Sequence, residues 1–359
     1  MFKSVIIQDG RDNFFTPLRF IFAYMVLIGH AFVVIGGTSQ SEPHIFYHFT
    51  LSYMAVNFFF IASGFLVTGS MLYRKDIASY TSARILRIYP GLIVHMFILM
   101  FLFGAWTTSL PLKEYFSHFD MWKQPLLVLP FLETQMALPG ILPNNHEHIA
   151  SATLWTLRYE LLAYMGTLAA FKLGLLKHRW MLLAQFSIFA IALTLTKYLG
   201  MFDGFPATIQ SLLRFGVAYG LGAAIYGYRD KIKFYWPVIP VLGGIAVLWH
   251  NSPFFEIFFN IFLAYILFTF AYIKIPKLNF LKKMNDVSYG LYVYHWATLQ
   301  GVFMVWPQLN IWQLIALSSP IAILLAALSW HFIEKPALAF KDKLAVKLKQ
   351  KEAPKSLNV

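Results

Sequence analysis

The sequence contains no cysteine among its 359 residues, and it has few charged side chains for its length. The absence of cysteine excludes disulfides, cysteine-based metal sites and a cysteine thioester as an acyl-enzyme intermediate. Charged residues make up 13% of the chain, which is about half of their usual share in a globular protein. The chain therefore lacks the polar surface that a soluble protein of this size carries.

Apolar side chains are abundant instead, at 58% of the chain, and aromatic side chains reach 18%. A soluble protein has too little interior to bury that much apolar surface, whereas a bilayer accepts apolar side chains on the outside of a helix bundle. Because a membrane helix needs about 20 mostly apolar residues, the sequence predicts an all-α, polytopic transmembrane bundle of ten spans. The predicted spans are 17–37, 53–72, 88–107, 155–175, 180–198, 207–227, 236–250, 253–273, 287–306 and 312–333.

The distribution of lysine and arginine predicts that both termini lie in the cytoplasm. With that orientation the outer segments hold only Lys113, Lys123 and Lys197, and nearly all other loop cations are cytoplasmic, as the positive-inside rule requires. The formal net charge of +13 then reflects this asymmetry and a lysine-rich tail near anionic lipid, so we predict no nucleic-acid partner.

No linker or repeat marks a second domain. We predict one transmembrane domain over residues 1–340 and a basic cytoplasmic tail over 341–359. The first apolar stretch has no signal-peptide cleavage site, so we expect it to be retained. The largest loop, about 108–154, is external and contains an apolar, proline-broken stretch at 125–132 that predicts a re-entrant or surface-lying segment rather than a span.

Ionisable residues inside a span are costly and therefore candidates for function. Arg19 and His30 lie eleven residues apart in the first span, about 16 Å along a helix and on nearly the same face. A cation at the mouth of the bundle suits a phosphate or carboxylate, and a deeper histidine suits proton transfer. The alternative is that Arg19 snorkels to the interface and His30 bonds to a neighbouring helix.

Two further motifs are candidates for donor binding. Arg84 and Arg87, just inside the membrane, share a helix face and could form a fork for a polyphosphate, or they could be an ordinary positive-inside anchor. Ser63, beside Gly64 in the second span, could contact a ligand, although helix packing through small residues is the favoured explanation.

Motifs at the beginnings of two later spans supply the remaining candidate site residues. Trp155, Arg158 and Glu160 open the fourth span, where Glu160 could pair with Arg158, orient a histidine or bind a sugar hydroxyl. Tyr292 and His295 are i, i+3 neighbours in the ninth span, suited to packing or to a cofactor contact. No span carries a histidine pair with the spacing of metal ligands, so we predict no metal site.

Taken together, these motifs resemble the acyltransferase-three family of integral membrane proteins, which O-acetylate or otherwise acylate surface saccharides. The resemblance runs from Pro17 to Pro336, nearly the whole chain. The motifs that carry it are Leu18-Arg19 with His30, 59–66, 84–90, 154–160, 288–295 and Glu334-Lys335-Pro336.

The resemblance implies an enzyme of the plasma (inner) membrane that uses cytoplasmic acyl-coenzyme A, such as acetyl-coenzyme A, as a co-substrate. The acceptor it implies is a saccharide hydroxyl at the external face. The family's arginine and histidine of the first span correspond to Arg19 and His30, and its arginine pair corresponds to Arg84 and Arg87. We therefore predict His30 and Glu160 as catalytic residues. The predicted donor-binding residues are Arg19, Arg84, Arg87, Ser63, Tyr292 and His295, and the predicted acceptor-binding residues are Trp155 and Arg158.

In the mechanism we predict, His30 removes the acceptor's proton as the acceptor oxygen attacks the thioester, and exclusion of water protects the thioester. A covalent acyl-histidine or acyl-serine intermediate is left open. A polysaccharide or small-solute transporter could use the same polar interior, although the chain shows no inverted repeat. A sensor or scaffold without chemistry is the third alternative.

Overall fold

The computed structural model describes residues 5–7 and 12–352, with side chains described as far as residue 348. Lys3 and Arg11 of the predicted cytoplasmic lead, and residues 353–359 of the predicted tail, lie outside the described residues. Within the described ranges the chain is overwhelmingly helical with four very short strands, which confirms the all-α fold class.

The helices follow one another with short connections. They are α1 Phe15–Gly36, α2 Leu51–Arg74, α3 Ile77–Ile98, α4 Gly104–Thr107, α5 Leu112–Ser117, α6 Phe119–Val128, α7 Trp155–Lys172, α8 Arg179–Tyr198, α9 Ala207–Gly227, α10 Val238–Leu248, α11 Phe255–Ala271, α12 Ser288–Val305, α13 Ile311–Ser329, α14 Lys335–Ala339 and α15 Lys341–Glu352. A π turn at Leu99–Phe103 joins α3 to α4, and another at Trp330–Glu334 joins α13 to α14. Short 3-10 helices are Ser39–Ser41, Phe202–Gly204 and Pro276–Lys283.

The strands form two small antiparallel ribbons. Strand β1 (Val5–Ile6) pairs with β4 (Lys233–Phe234), and β2 (His44–Phe46) pairs with β3 (Phe49–Thr50). With two or three residues each, these strands fix loop ends and form no core of their own.

Each of the ten predicted spans coincides with a helix. Five helical runs in the described part of the chain are long and apolar enough to cross a membrane, or six if the bent pair Phe255–Ala271 and Pro276–Lys283 counts as one span. The five are Phe15–Gly36, Leu51–Arg74, Ile77–Thr107, Arg179–Tyr198 and Ile311–Ala339. Helix α10 has only 11 residues, about half of a spanning length. A multi-helix membrane protein is therefore supported, and the count of ten spans stays a prediction.

The chain divides into two compact units, the first made of Met1–Gly29, Glu42–Gly69 and Tyr159–Ser288. Helices α2 and α9 of this unit touch backbone to backbone. A Cβ at Gly64 would collide with the carbonyl of Tyr219, and one at Gly222 would collide with the carbonyl of Ile61. The glycine beside Ser63 thus serves the helix packing that the sequence left as one alternative.

The second unit consists of His30–Ser41, Ser70–Arg158 and Tyr289–Val359. Its central element is α12, in which every residue from Tyr289 to Phe303 is buried. A helix that is buried all round is a core helix, so the polar side chains of α12 face protein groups rather than lipid. Helices α14 and α15 and the π turn at Trp330–Glu334 pack against α3.

The large loop of the second unit carries α5 and α6. Phe119, Trp122 and Leu126 are exposed along one side of α6, while Met121 and Val128 are buried. With 10 residues α6 is too short to span a bilayer, and its exposed apolar side favours the surface-lying alternative.

Tyr115 of α5 ties the same loop to α3. Its hydroxyl donates to the Met100 carbonyl at 2.7 Å, and burial raises the pKa of Tyr115 to about 12. The side chain is therefore a neutral donor at physiological pH, and it anchors the beginning of the loop beside Gly104, where a Cβ would meet the Tyr115 hydroxyl.

The close approach of α2 and α9 leads to a stability prediction. Gly64→Leu places a side chain against the Tyr219 backbone and should destabilise the protein by about 1–3 kcal/mol, as overpacking does. The matched control is Gly166→Ala on α7, where a Cβ meets nothing within 4 Å. Thermal unfolding in detergent should show a lower midpoint for Gly64→Leu only. Equal midpoints for the two variants would contradict the packing described above.

Candidate active site

Two histidines from different helices meet in the second unit. His30 of α1 and His295 of α12 are joined by a hydrogen bond of 2.8 Å between His30 Nδ1 and His295 Nε2. Their ring centroids lie 5.0 Å apart, and the Trp296 ring meets the His30 ring edge-on at 5.3 Å. His295 is fully buried, while His30 is partly accessible. The sequence predicted both residues, but it did not predict that they contact each other.

The backbone of α12 determines which nitrogen of each ring carries hydrogen. His295 Nδ1 lies 3.1 Å from the Leu291 carbonyl, which can only accept, so Nδ1 of His295 is the protonated nitrogen. In the neutral ring Nε2 of His295 then accepts the hydrogen bond from Nδ1–H of His30. A neutral His30 is left with its lone pair on Nε2, an atom that makes no hydrogen bond among the described residues. This atom can act as a general base.

Tyr292 supports the histidine pair from one turn earlier on α12. Its hydroxyl lies 2.7 Å from the hydroxyl of Thr156, and both residues are buried. Its ring meets His295 edge-on with centroids 6.0 Å apart. The packing alternative therefore describes Tyr292, and the predicted donor contact of Tyr292 and His295 stays a prediction.

Sequence reasoning missed a third histidine. His95 of α3 is fully buried and packs edge-on against Tyr294, with ring centroids 4.8 Å apart. Neither ring nitrogen of His95 has a hydrogen-bond partner within the described residues. The sequence did contain a signal for His95. This histidine lies inside the predicted span 88–107, and a polar ring in the bilayer is costly wherever it lies.

The two arginines of α3 have different surroundings. Arg84 lies over the Tyr80 ring at 5.8 Å. Arg87 Nη1 lies 3.8 Å from Glu334 Oε2, with side chains only 13% and 2% exposed. Glu334, which belongs to one of the motifs that carry the family resemblance, is buried in the π turn and also accepts from Ser329 Oγ at 3.0 Å.

Arg19 is a predicted donor-binding residue on the same span as His30, and it lies in the first unit. Its Nη1 forms an ion pair of 2.6 Å with Asp286 Oδ2. Asp286 also accepts from Ser288 Oγ at 2.6 Å. The partner carboxylate was not identified from the sequence, because nothing in the spacing of residues 19 and 286 connects them. Ser63, also in the first unit, is half-buried on α2.

The pairing of Arg158 with Glu160, which the sequence left as one alternative, is not among the ion pairs of the described residues. Glu160 accepts from the Tyr164 hydroxyl, one turn further along α7. Arg158 donates to the carbonyls of Phe131 and Leu132, each at 2.9 Å, and so ties the beginning of α7 to the large loop. Trp155, predicted with Arg158 for the acceptor, is the first residue of α7.

The described residues offer no metal centre. Among residues 5–7 and 12–352, no group of three or more histidine, cysteine, aspartate or glutamate side chains is arranged to hold a metal ion.

The pair joins a buried imidazole to a partly accessible one whose Nε2 can act as a base, and similarity to known proteins specifies the class. The chain belongs to the acyltransferase-three family, described as an acyltransferase domain, which matches residues 13–332. It is therefore a multi-pass O-acyltransferase, which decides against the transporter and scaffold alternatives. No solved structure matches the chain.

Two curated relatives resemble the chain over nearly its whole length. A protein named O-acetyl transferase from Shigella phage Sf6 is 26% identical over 332 residues, covering 90% of this chain and 96% of the relative. Nodulation protein 10 from Rhizobium leguminosarum bv. viciae is 24% identical over 368 residues, covering 95% of this chain and 97% of the relative.

The contact of Arg87 with Glu334 leads to a second stability prediction. Arg87→Ala leaves a buried carboxylate without its cation and should cost about 3–5 kcal/mol. Arg87→Met combined with Glu334→Gln removes both charges and should restore most of the loss. The unfolding midpoints of the single and double variants in detergent measure both effects. A double variant no more stable than Arg87→Ala would show that the two side chains do not act as a pair.

Proposed function

We propose that the chain transfers an acetyl group from cytoplasmic acetyl-coenzyme A to a hydroxyl of a cell-surface or lipid-linked saccharide. Family membership and the name of the phage relative support O-acetyl transfer. The charge distribution of the loops supports an inner-membrane bundle of ten spans with both termini in the cytoplasm. The coenzyme is a co-substrate in this proposal and not a resident cofactor.

The observation that carries the mechanism is the free lone pair of His30 Nε2. This nitrogen takes the proton of the acceptor hydroxyl while the oxygen attacks the thioester carbonyl. The new C–O bond forms, the C–S bond breaks, and the coenzyme leaves as a thiolate that recovers the proton from His30. The proton on Nε2 makes His30 a cation, and its Nδ1–H then donates more strongly to His295 Nε2.

The donor is expected to enter along the cationic end of α3. Arg84 supplies a guanidinium for the phosphates of the coenzyme, and Arg87, paired with Glu334, holds α3 to the turn that follows α13. The roles of Arg19 and Ser63 toward the donor, and of Trp155, Arg158 and Glu160 toward the acceptor, remain predictions from the sequence.

Replacement of the proposed base tests the mechanism. His30→Asn keeps a side-chain donor near the Nδ1 position but has no basic nitrogen, so acetyl transfer should fall by about 10²–10⁴-fold. The assay uses membranes containing the chain, labelled acetyl-coenzyme A and a surface glycan whose ester groups have been removed by mild alkali. Labelled glycan is the product measured.

The matched control is His178→Ala, which alters an exposed histidine at the beginning of α8 and should leave transfer unchanged. Mass spectrometry of surface glycans from cells with and without the chain identifies the ester. If His30→Asn folds, binds labelled acetyl-coenzyme A and transfers at the normal rate, His30 is not the base.

His295 is a positioning residue, and its conservative replacement separates that role from mere packing. His295→Gln offers an amide oxygen that can accept from His30 Nδ1–H, whereas His295→Leu offers no acceptor. Transfer should be largely retained in His295→Gln and fall by about tenfold or more in His295→Leu, with the loss in kcat rather than in the KM for either substrate. Equal activities of the two folded variants would show that the hydrogen bond has no role.

A further inference from the structure

A buried pair of amide side chains lies in the second unit, and one of the two is on α12, the helix that carries His295. Asn145, from the external loop, donates from Nδ2 to the Gln300 backbone carbonyl at 3.0 Å and to the Gln300 side-chain Oε1 at 2.6 Å. The exposed fractions are 5% for Asn145 and 1% for Gln300. The proposed mechanism uses neither residue.

The orientation of the Gln300 amide follows from these two contacts. A backbone carbonyl can only accept, so the Asn145 atom beside it must be the NH2 group. The same NH2 group lies beside the Gln300 side chain, so the Gln300 atom it meets must be the oxygen. The Nε2 group of Gln300 is therefore held on the side away from Asn145, with two hydrogens to donate.

Those two hydrogens have no acceptor among the residues that the structure describes. Gln300 Nε2 is buried and without a hydrogen-bond partner in the described part of the chain. Burying an amide donor without a partner costs free energy. Enzymes retain such a cost in sites built to hydrogen-bond a substrate oxygen, because the bound substrate satisfies the donor.

The unpaired donor lies one helical turn from a residue that contacts the proposed base. Trp296, which touches the His30 ring, precedes Gln300 by four residues on α12, so the two share one face of the helix. The Trp296 indole donates to the Ile149 carbonyl at 2.9 Å, and His146 stacks on Phe303 with ring centroids 6.0 Å apart. Residues 145–149 of the loop thus cover the half of α12 beyond His295.

We propose that Gln300 is an acceptor-binding residue, which donates from Nε2 to an oxygen of the saccharide, and that Asn145 positions its amide. This inference rests on the proposed function. In the proposed orientation α12 begins at the cytoplasmic side, and Gln300 lies five residues, about 7.5 Å, beyond His295 toward the outer side. The saccharide comes from that side, whereas the coenzyme approaches along α3 from the other.

Steady-state kinetics of the membrane-embedded protein tests the assignment. The probes are labelled acetyl-coenzyme A and the alkali-treated surface glycan, and each is varied in turn. Gln300→Glu keeps the oxygen that Asn145 contacts and replaces the donor by an acceptor. Gln300→Met removes both polar groups without adding charge, so it serves if the glutamate variant does not fold.

Both variants should raise the KM for the glycan by about tenfold or more and leave the KM for acetyl-coenzyme A unchanged. Asn145→Ala, which frees the amide to rotate, should raise the KM for the glycan by a smaller factor. The matched control is Gln308→Glu in the exposed turn after α12, which should change neither constant.

Two results would overturn the assignment while leaving the proposed function intact. One is an unchanged KM for the glycan in a folded Gln300 variant. The other is an increase confined to the KM for acetyl-coenzyme A, which would place Gln300 against the donor. If the unaltered chain forms no labelled glycan, the proposed function fails, and this inference fails with it.

Discussion

The Leu291 carbonyl accepts a hydrogen bond from His295 Nδ1, and the proposed chemistry depends on this one contact. A carbonyl cannot donate, so it sets the direction of every hydrogen bond that follows it. His295 must accept from His30, and the lone pair that remains is on His30 Nε2. In a serine protease a carboxylate fixes the tautomer of the histidine. In this protein the neutral imidazole of His295, which the Leu291 backbone carbonyl orients, has that role. The Gln300 carbonyl directs the amide of Asn145 in the same way.

Helix α12 can carry these polar groups because it is buried along most of its length. Lipid offers no hydrogen-bond partners, so polar side chains are confined to helices that face protein or a water-filled cavity. The histidine, tyrosine and glutamine of α12 lower its hydropathy, and α12 is not among the helices apolar enough to count as spans. His295 and Gln300 thus lie on a helix that is too polar to count as a span, whereas His30 lies on α1, which does count as one.

Buried ion pairs illustrate the limits of spacing arguments. Arg19 and Arg87 were both predicted to bind the coenzyme, and each also contacts a carboxylate, Asp286 and Glu334 respectively. Such pairing balances charge within the protein, since an isolated buried guanidinium would be costly. An arginine in such a pair can still contact a phosphate, but an arginine motif alone does not identify a phosphate site.

The sequence by itself determined the helical membrane class, the helical character of all ten predicted segments and the resemblance to acyltransferases, because composition and apolar run length are local properties of a chain. It also identified His30 and His295 as candidates, because ionisable residues in apolar runs are rare. Only the tertiary structure decided which of them meet. The contact of His30 with His295 joins helices 265 residues apart, and the pairing of Asn145 with Gln300 joins a loop to a core helix. Contacts between distant segments depend on packing, which a periodic pattern in one sequence does not encode.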